Sequence, residues 1–178
     1  MSVSAVNNAG ANSYLQQNAA YKAENNEEKF EKKVMTCVSV GGQKCMLRSD
    51  ALLSYASPQT KESVNIYRAD NYSTENPVYK IIGLDADGNK FEKEIDASKI
   101  NPRHCSYNEL MVLSVEKGHM SDKERLHAVA VRDKAGAESF FDRKNYLTFI
   151  QAVMQDQMTM GNWSAFLSYR KWMESLSR

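Results

Sequence analysis

Apolar side chains recur at every second residue up to Asn101 and at every third or fourth residue beyond it. A strand turns successive side chains to opposite faces, whereas a helix returns to one face after about 3.6 residues. The switch therefore predicts a strand layer followed in the chain by a helical one.

The strand half is plainest in three runs. SVNIYRA (63–69) puts Val64 and Ile66 on one face, PVYKIIGLD (77–85) is β-rich, and NKFEKEID (89–96) alternates Phe91, Lys93 and Ile95 with Glu92, Glu94 and Asp96. Asp85-Ala86-Asp87-Gly88-Asn89 between the last two consists of residues that tolerate turn geometry. These features predict a β-hairpin over 77–96 within a three-stranded meander over 63–96. Upstream, VMTCVSV (34–40) and QKCMLR flank Gly41-Gly42, a hairpin signal because a type I′ turn needs positive φ at both central residues. A two-residue loop pairs Val40 with Gln43 and sends Cys37 and Cys45 to opposite faces. A three-residue loop pairs Ser39 with Gln43 and sets the two thiols across from each other. Both registers fit the sequence. SDALLSYAS (49–57) reads as a short helix capped by Ser49 or Asp50, and Pro58 ends it.

Asn101-Pro102 marks the change of period. Ser106 with Glu109, and Ser121 with Glu124, each have the spacing of a capping box. Gly118 and Gly136 stand where left-handed C-terminal caps belong. The first of these helices carries Tyr107, Leu110, Met111 and Val115; the second contains HAVAV, which suits a strand as well. A third helix is predicted over 139–159, with Phe141, Leu147, Ile150, Val153, Met154 and Met158 as its stripe. Gly161 breaks it, and Asn162 caps a last helix. The fold class expected is α+β: a small antiparallel β-sheet of hairpins or a meander, with C-terminal α-helices packed against it, 34–97 mainly β and 103–178 mainly α.

Residues 1–33 follow a different rule. They are rich in Asn, Ala, Ser, Gln and Glu, with Tyr14, Leu15, Tyr21 and Phe30 as the sizeable apolar side chains. Such a segment buries too little to offset its ordering entropy, so it is expected to form a polar arm, flexible or loosely helical, ahead of a single domain over 34–178.

Several function classes are disfavoured by composition. With 23 Lys and Arg against 22 Asp and Glu, the chain lacks the basic excess that binding a phosphate backbone exploits, so no nucleic-acid partner is expected. No apolar run approaches the roughly 18–20 residues that span a bilayer. The opening MSVSAVNNAGANSYLQQ has neither a charged leader nor an apolar core, which points to a cytoplasmic location, with leaderless export also compatible. Three cysteines, Cys37, Cys45 and Cys105, leave one over in any internal pairing, and none forms a C-x-x-C pair. They are expected to be small buried apolar residues.

Motifs that carry chemistry are sparse. The Asp85–Asn89 run alternates oxygen ligands as a calcium loop does, with Asp96 at the twelfth position. Lys90 occupies the sixth, where glycine belongs, and Glu92 the eighth, so a polar hairpin turn is the better reading. Neither G-x-x-x-x-G-K nor G-x-G-x-x-G occurs, and the three histidines lack zinc-ligand spacing, so no cofactor or metal is expected. His104-Cys105 is the one place where imidazole and thiol are neighbours. It makes Cys105 and His104 the candidates for thiol chemistry, against the simpler reading of a buried Cys105 beside an exposed His104. The last helix gathers Trp163, Phe166, Tyr169, Arg170, Trp172 and Met173, residue types that interfaces favour. Its aromatics cover more than one stripe, so one core contact does not account for them all.

VNIYRADNYSTENPVYKIIGLDADGNKFEKEIDASKINPRHCSYNELMVL, with NYSTENPVY, the DADGNKFEKEI hairpin and INP before a helix, resembles a segment of gut-clostridial proteins that have no assigned activity. The resemblance covers roughly residues 64–113 and implies a bacterial source; it implies no mechanism and no site residues. The leading functional expectation is thus a non-catalytic protein-interaction domain that takes a protein partner or self-associates, and the alternative is a small thiol-dependent enzyme using Cys105 with a histidine.

Overall fold

A computed structural model describes residues 35–40, 43–119 and 121–177. The expectation for the 1–33 arm falls outside the described residues. Strands β1 (Met35–Val40) and β2 (Gln43–Arg48) pair antiparallel as a separate hairpin. Strands β3 (Leu53–Ser57), β4 (Glu62–Arg68), β5 (Val78–Leu84) and β6 (Lys90–Asp96) form an antiparallel meander in the order β3-β4-β5-β6. A single 3₁₀ turn, Ala97–Lys99, leads into four helices: α1 (Tyr107–Glu116), α2 (Asp122–Lys134), α3 (Tyr146–Thr159) and α4 (Trp163–Leu176). The protein is an α+β fold, as the change of period predicts.

Register decides what each sheet face does. Tyr55 lies opposite Val64, Val64 opposite Gly83 and Gly83 opposite Phe91, so these side chains share one face with Leu53, Ile66, Tyr79, Ile81 and Ile95. That face belongs to the core shared with the helices, where Leu53, Val64, Ile66, Tyr79 and Ile81 are buried with Leu110, Val112, Val131, Ile150 and Trp172. Gly83 permits a close approach there: a Cβ on it would overlap the Ser63 carbonyl oxygen and the Phe91 ring. The opposite face of β4 carries Ser63 and Asn65, both buried under β2. Their side chains bond to the β2 backbone: Met46 N donates to Ser63 Oγ at 3.0 Å, and Arg48 N to Asn65 Oδ1 at 2.7 Å. Asn65 Nδ2 returns a bond to the Met46 carbonyl at 2.9 Å. The carboxamide thus pairs with the β2 backbone as the peptide group of a neighbouring strand would. The hairpin, the sheet and the helices form three layers.

The β1–β2 register pairs Val40 with Gln43 and Cys37 with Met46, the first of the two registers that fit the sequence. Cys37 does not stand across from Cys45. The meander has four strands rather than three, because the 49–57 stretch is no helix. Residues around Asp50 turn, and Leu53–Ser57 pairs with β4 as an edge strand. A helix this short is marginal in water, whereas as a strand it buries Leu53 and seats the Tyr55 ring against Tyr107 and Phe140 at 5.5 and 5.1 Å. At the far edge, β6 exposes Lys90, Glu92, Lys93 and Glu94.

Both capping boxes form, around Ser106–Glu109 and Ser121–Glu124, and Gly118 and Gly136 take the left-handed conformation that ends their helices. The HAVAV segment is helical. The third helix starts at Tyr146, capped by Asn145, and not at 139. Residues 139–145 are held otherwise: Asp142 accepts from the backbone N–H groups of Glu138 and Ser139, and Lys144 pairs with Cys105 across an isolated bridge. Phe140 is fully buried from this turn, and its N–H donates to the buried carboxylate of Glu62 at 2.6 Å.

Candidate functional site

Helix α4 sorts its aromatic residues between two faces. Ala165, Tyr169, Trp172 and Leu176 recur at helical spacing and are buried. Trp172 is 1% exposed, and its Nε1 donates to Ser114 Oγ at 3.0 Å, which docks α4 onto α1. Tyr169 stacks on His127 of α2, ring centroids 4.0 Å apart. Burial raises the Tyr169 hydroxyl to a pKa of about 12. Tyr169 and Trp172 are thus core residues, not part of an open surface. The physical reason is the seven-residue frame that runs from Ala165 to Trp172, two turns along one face.

The outward face is different. Trp163 is 59% exposed, and Leu167, four residues on and therefore on the next turn of the same face, is 57% exposed. Met160, the C-cap of α3, adds a side chain that is 75% exposed. Phe166 and Met173 are half-buried, with Phe166 edge-on to Trp163 at 5.9 Å between ring centroids. Arg170 is exposed and pairs with Glu174 at 2.8 Å.

Helix α2 also exposes two apolar side chains that sequence reasoning missed. Leu126 is 70% exposed and Val129 is exposed as well. Lys123 Nζ reaches Ser164 Oγ at 3.4 Å, and Ser168 Oγ meets His127 Nδ1 at 3.4 Å, so α2 and α4 run alongside each other here. The signal was present in the spacing of Leu126 and Val129 opposite Ala128 and Val131.

The structure gives the two members of the Cys105-His104 pair different settings. Cys105 is fully buried and His104 is exposed on the surface. Burial pushes the Cys105 thiol up to about 12, the Glu109 carboxylate adds to this, and Arg143 opposes it. At neutral pH the group is a protonated thiol, which is a poor nucleophile. The Asp85–Asn89 run is a turn in which Asp85 Oδ1 accepts from the N–H groups of Asp87 and Asn89 at 3.0 and 2.8 Å. Those bonds hold the Asp85 carboxyl below its ordinary range. Among the described residues no three His, Cys, Asp or Glu side chains converge as a metal site, and no helix is long and apolar enough to cross a membrane.

A second feature lies at the α1–α2 junction. His119 is buried, and its Nδ1 stands 2.7 Å from Glu124 Oε1. The other Glu124 oxygen accepts from Ser121 N and Ser121 Oγ at 2.9 and 2.6 Å. Burial raises the Glu124 carboxyl, but the bonds from Ser121 and His119 outweigh it and hold the group at about 2. His119 opens onto a groove of about 370 Å³ lined by Lys117, Lys171, Glu174 and Ser175.

Comparison with protein-family models, curated proteins and solved structures yields no match for this chain.

Proposed function

We propose that this chain is a non-catalytic interaction domain that associates with a second copy of itself through the outward face of α4 and the adjoining residues of α2. The observation that carries the reading is the exposure of Trp163 with Leu167 and Met160 around it. Tryptophan is the residue type most enriched where truncation costs most binding energy, and a large apolar surface rimmed by polar groups is the usual form of a protein-binding face. A second copy is the partner the charges favour. The rim carries both signs, with Lys123 and the Arg170–Glu174 pair, so a two-fold contact can set each charge against its opposite. The formal net charge of +1 offers little long-range repulsion between copies. A bacterial, cytoplasmic setting completes the proposal; the free, buried Cys45 and Cys105 are in keeping with a reducing compartment.

Light scattering coupled to size-exclusion chromatography tests this over a range of loading concentrations. The expected result is a concentration-dependent rise toward twice the monomer mass, abolished by Trp163→Ser with Leu167→Ser while the circular dichroism spectrum and melting temperature stay unchanged. A protein that remains monomeric at the highest concentration, or a double variant that still dimerises, refutes the reading.

A further inference from the structure

We propose that the groove between the α1–α2 junction and the C-terminal half of α4 is a binding site for a small phosphate monoester, held as the dianion by Lys117, Lys171 and His119. This site borders the proposed self-association face, with Glu174 at the rim of both, but its chemistry does not rest on that reading.

The geometry begins with His119. Its ring is 8% exposed and is fixed through Nδ1 by Glu124, whose two oxygens are both engaged, one by the ring and one by Ser121. With Nδ1 committed to a carboxylate, Nε2 is the ring atom left for a ligand. The capping box at the start of α2 thereby does two things: it closes the helix end and orients a histidine toward the groove.

Charge then selects the ligand. Four ionisable groups besides Glu124 bear on the groove. Glu174 is offset by Arg170, whose Nε donates to Glu174 Oε1 at 2.8 Å. Glu124 is engaged by His119 Nδ1 at 2.7 Å and by Ser121. Lys117 and Lys171 are exposed, and neither has an acidic side-chain partner among the described residues. The two lysines bring two positive charges to the groove, which suit a phosphate monoester dianion better than a single carboxylate. Metal cations are disfavoured by the same count.

The helix ends here are C-terminal and their carbonyls oppose an anion, but those at the groove are largely taken. Leu113 O, Ser114 O and Val115 O accept from the N–H groups of Lys117, His119 and Gly118. Trp172 O accepts from Ser175 Oγ, and Met173 O from Ser177 Oγ. A volume of about 370 Å³ accommodates a phosphoryl group with a small organic substituent, and it lies at the small end of the range for ligand sites.

The test uses the full chain and three probes of graded chemistry: phenyl phosphate, inorganic phosphate and benzoate, titrated while amide and histidine side-chain resonances are followed by NMR. The expected result is saturable binding of phenyl phosphate, with shifts centred on Lys117, His119 and Lys171. Inorganic phosphate is expected to bind more weakly at the same residues, and benzoate at least tenfold more weakly than phenyl phosphate. Lys171→Ala with Lys117→Ala, both at exposed positions, should weaken phenyl phosphate at least tenfold without changing the melting temperature, and His119→Gln should weaken it several-fold. Linear, unsaturated shifts for phenyl phosphate overturn the site, as does an affinity indifferent to the double lysine variant. Equal binding of benzoate overturns the assignment to a dianion.

Discussion

Replacing Asn65 by alanine removes the side chain that ties the β1–β2 hairpin to the sheet. Four bonds go with it: those from Arg48 N and Ser54 Oγ to Oδ1, and those from Nδ2 to the carbonyls of Met46 and Ile82. Ser54 Oγ keeps the Arg48 carbonyl as an acceptor at 2.8 Å, so it is not stranded. The principal losses are therefore the Met46 carbonyl and the Arg48 N–H. Each backbone group left unpaired in a buried setting costs about 1–3 kcal/mol. Arg48 is only part-buried, so water relieves some of its share, and about 2–4 kcal/mol is the expected total for Asn65→Ala. For a chain of this size each kcal/mol lowers the melting temperature by roughly 2–4 °C, which makes the change easy to see. Ser63→Ala breaks only the bond from Met46 N and should cost about half as much. Urea denaturation measures both variants, and amide exchange shows where the loss falls. Exchange at Met46 and Arg48 should accelerate far more than at Ile66 or Ile81 in β4 and β5. A cost below about 0.5 kcal/mol with unchanged exchange at Met46 and Arg48 would refute the claim that Asn65 substitutes for a strand partner.

Three further outcomes follow from the same structure. Peptide-resolved alkylation with iodoacetamide at pH 8 should leave Cys105 unmodified in the native protein and label it fully in denaturant; rapid native labelling would contradict its burial and raised pKa. Burial lowers the pKa of His127 below its ordinary 6.5, with Lys123 adding to the effect. The unfolded chain therefore takes up the proton first, and stability should fall as pH drops through 6.5 toward the folded-state value, a slope that His127→Gln should remove; identical pH profiles of the urea midpoint would dismiss it. Gly83→Ala should destabilise by more than about 2 kcal/mol, because its Cβ meets the Ser63 backbone carbonyl as well as the Phe91 ring, and Phe91→Ala in the same chain should recover only the ring's part of that cost, as read from paired denaturation curves.

Much of the fold was legible because local rules and tertiary packing agree. The capping boxes at Ser106 and Ser121, the Asp85–Asn89 turn and the alternation of Phe91 and Ile95 with acidic residues all appear where short-range chemistry puts them. The failures are places where a distant partner decides. Leu53 and Tyr55 become strand residues because β4 offers an edge and Tyr107 and Phe140 offer a pocket, neither of which is visible in SDALLSYAS. Phe140 leaves the third helix because Glu62, far away in the chain, accepts its N–H. On α4 the sequence shows a surplus of aromatics but not which stripe wins the core. The choice falls to Tyr169 and Trp172 through His127 and Ser114 on two other helices, leaving Trp163 outside. The His119 groove was invisible for the same reason: Glu124 is readable as a capping residue, while its second role needs His119 brought to within 2.7 Å of it.

The charged strand at the rim of the sheet bears on how copies of this chain can assemble. A neighbour adding itself to β6 would have to line up its backbone beside Lys90, Glu92, Lys93 and Glu94, whose desolvation and mismatched charges penalise such growth. Open-ended, fibre-like stacking through that rim is thereby discouraged.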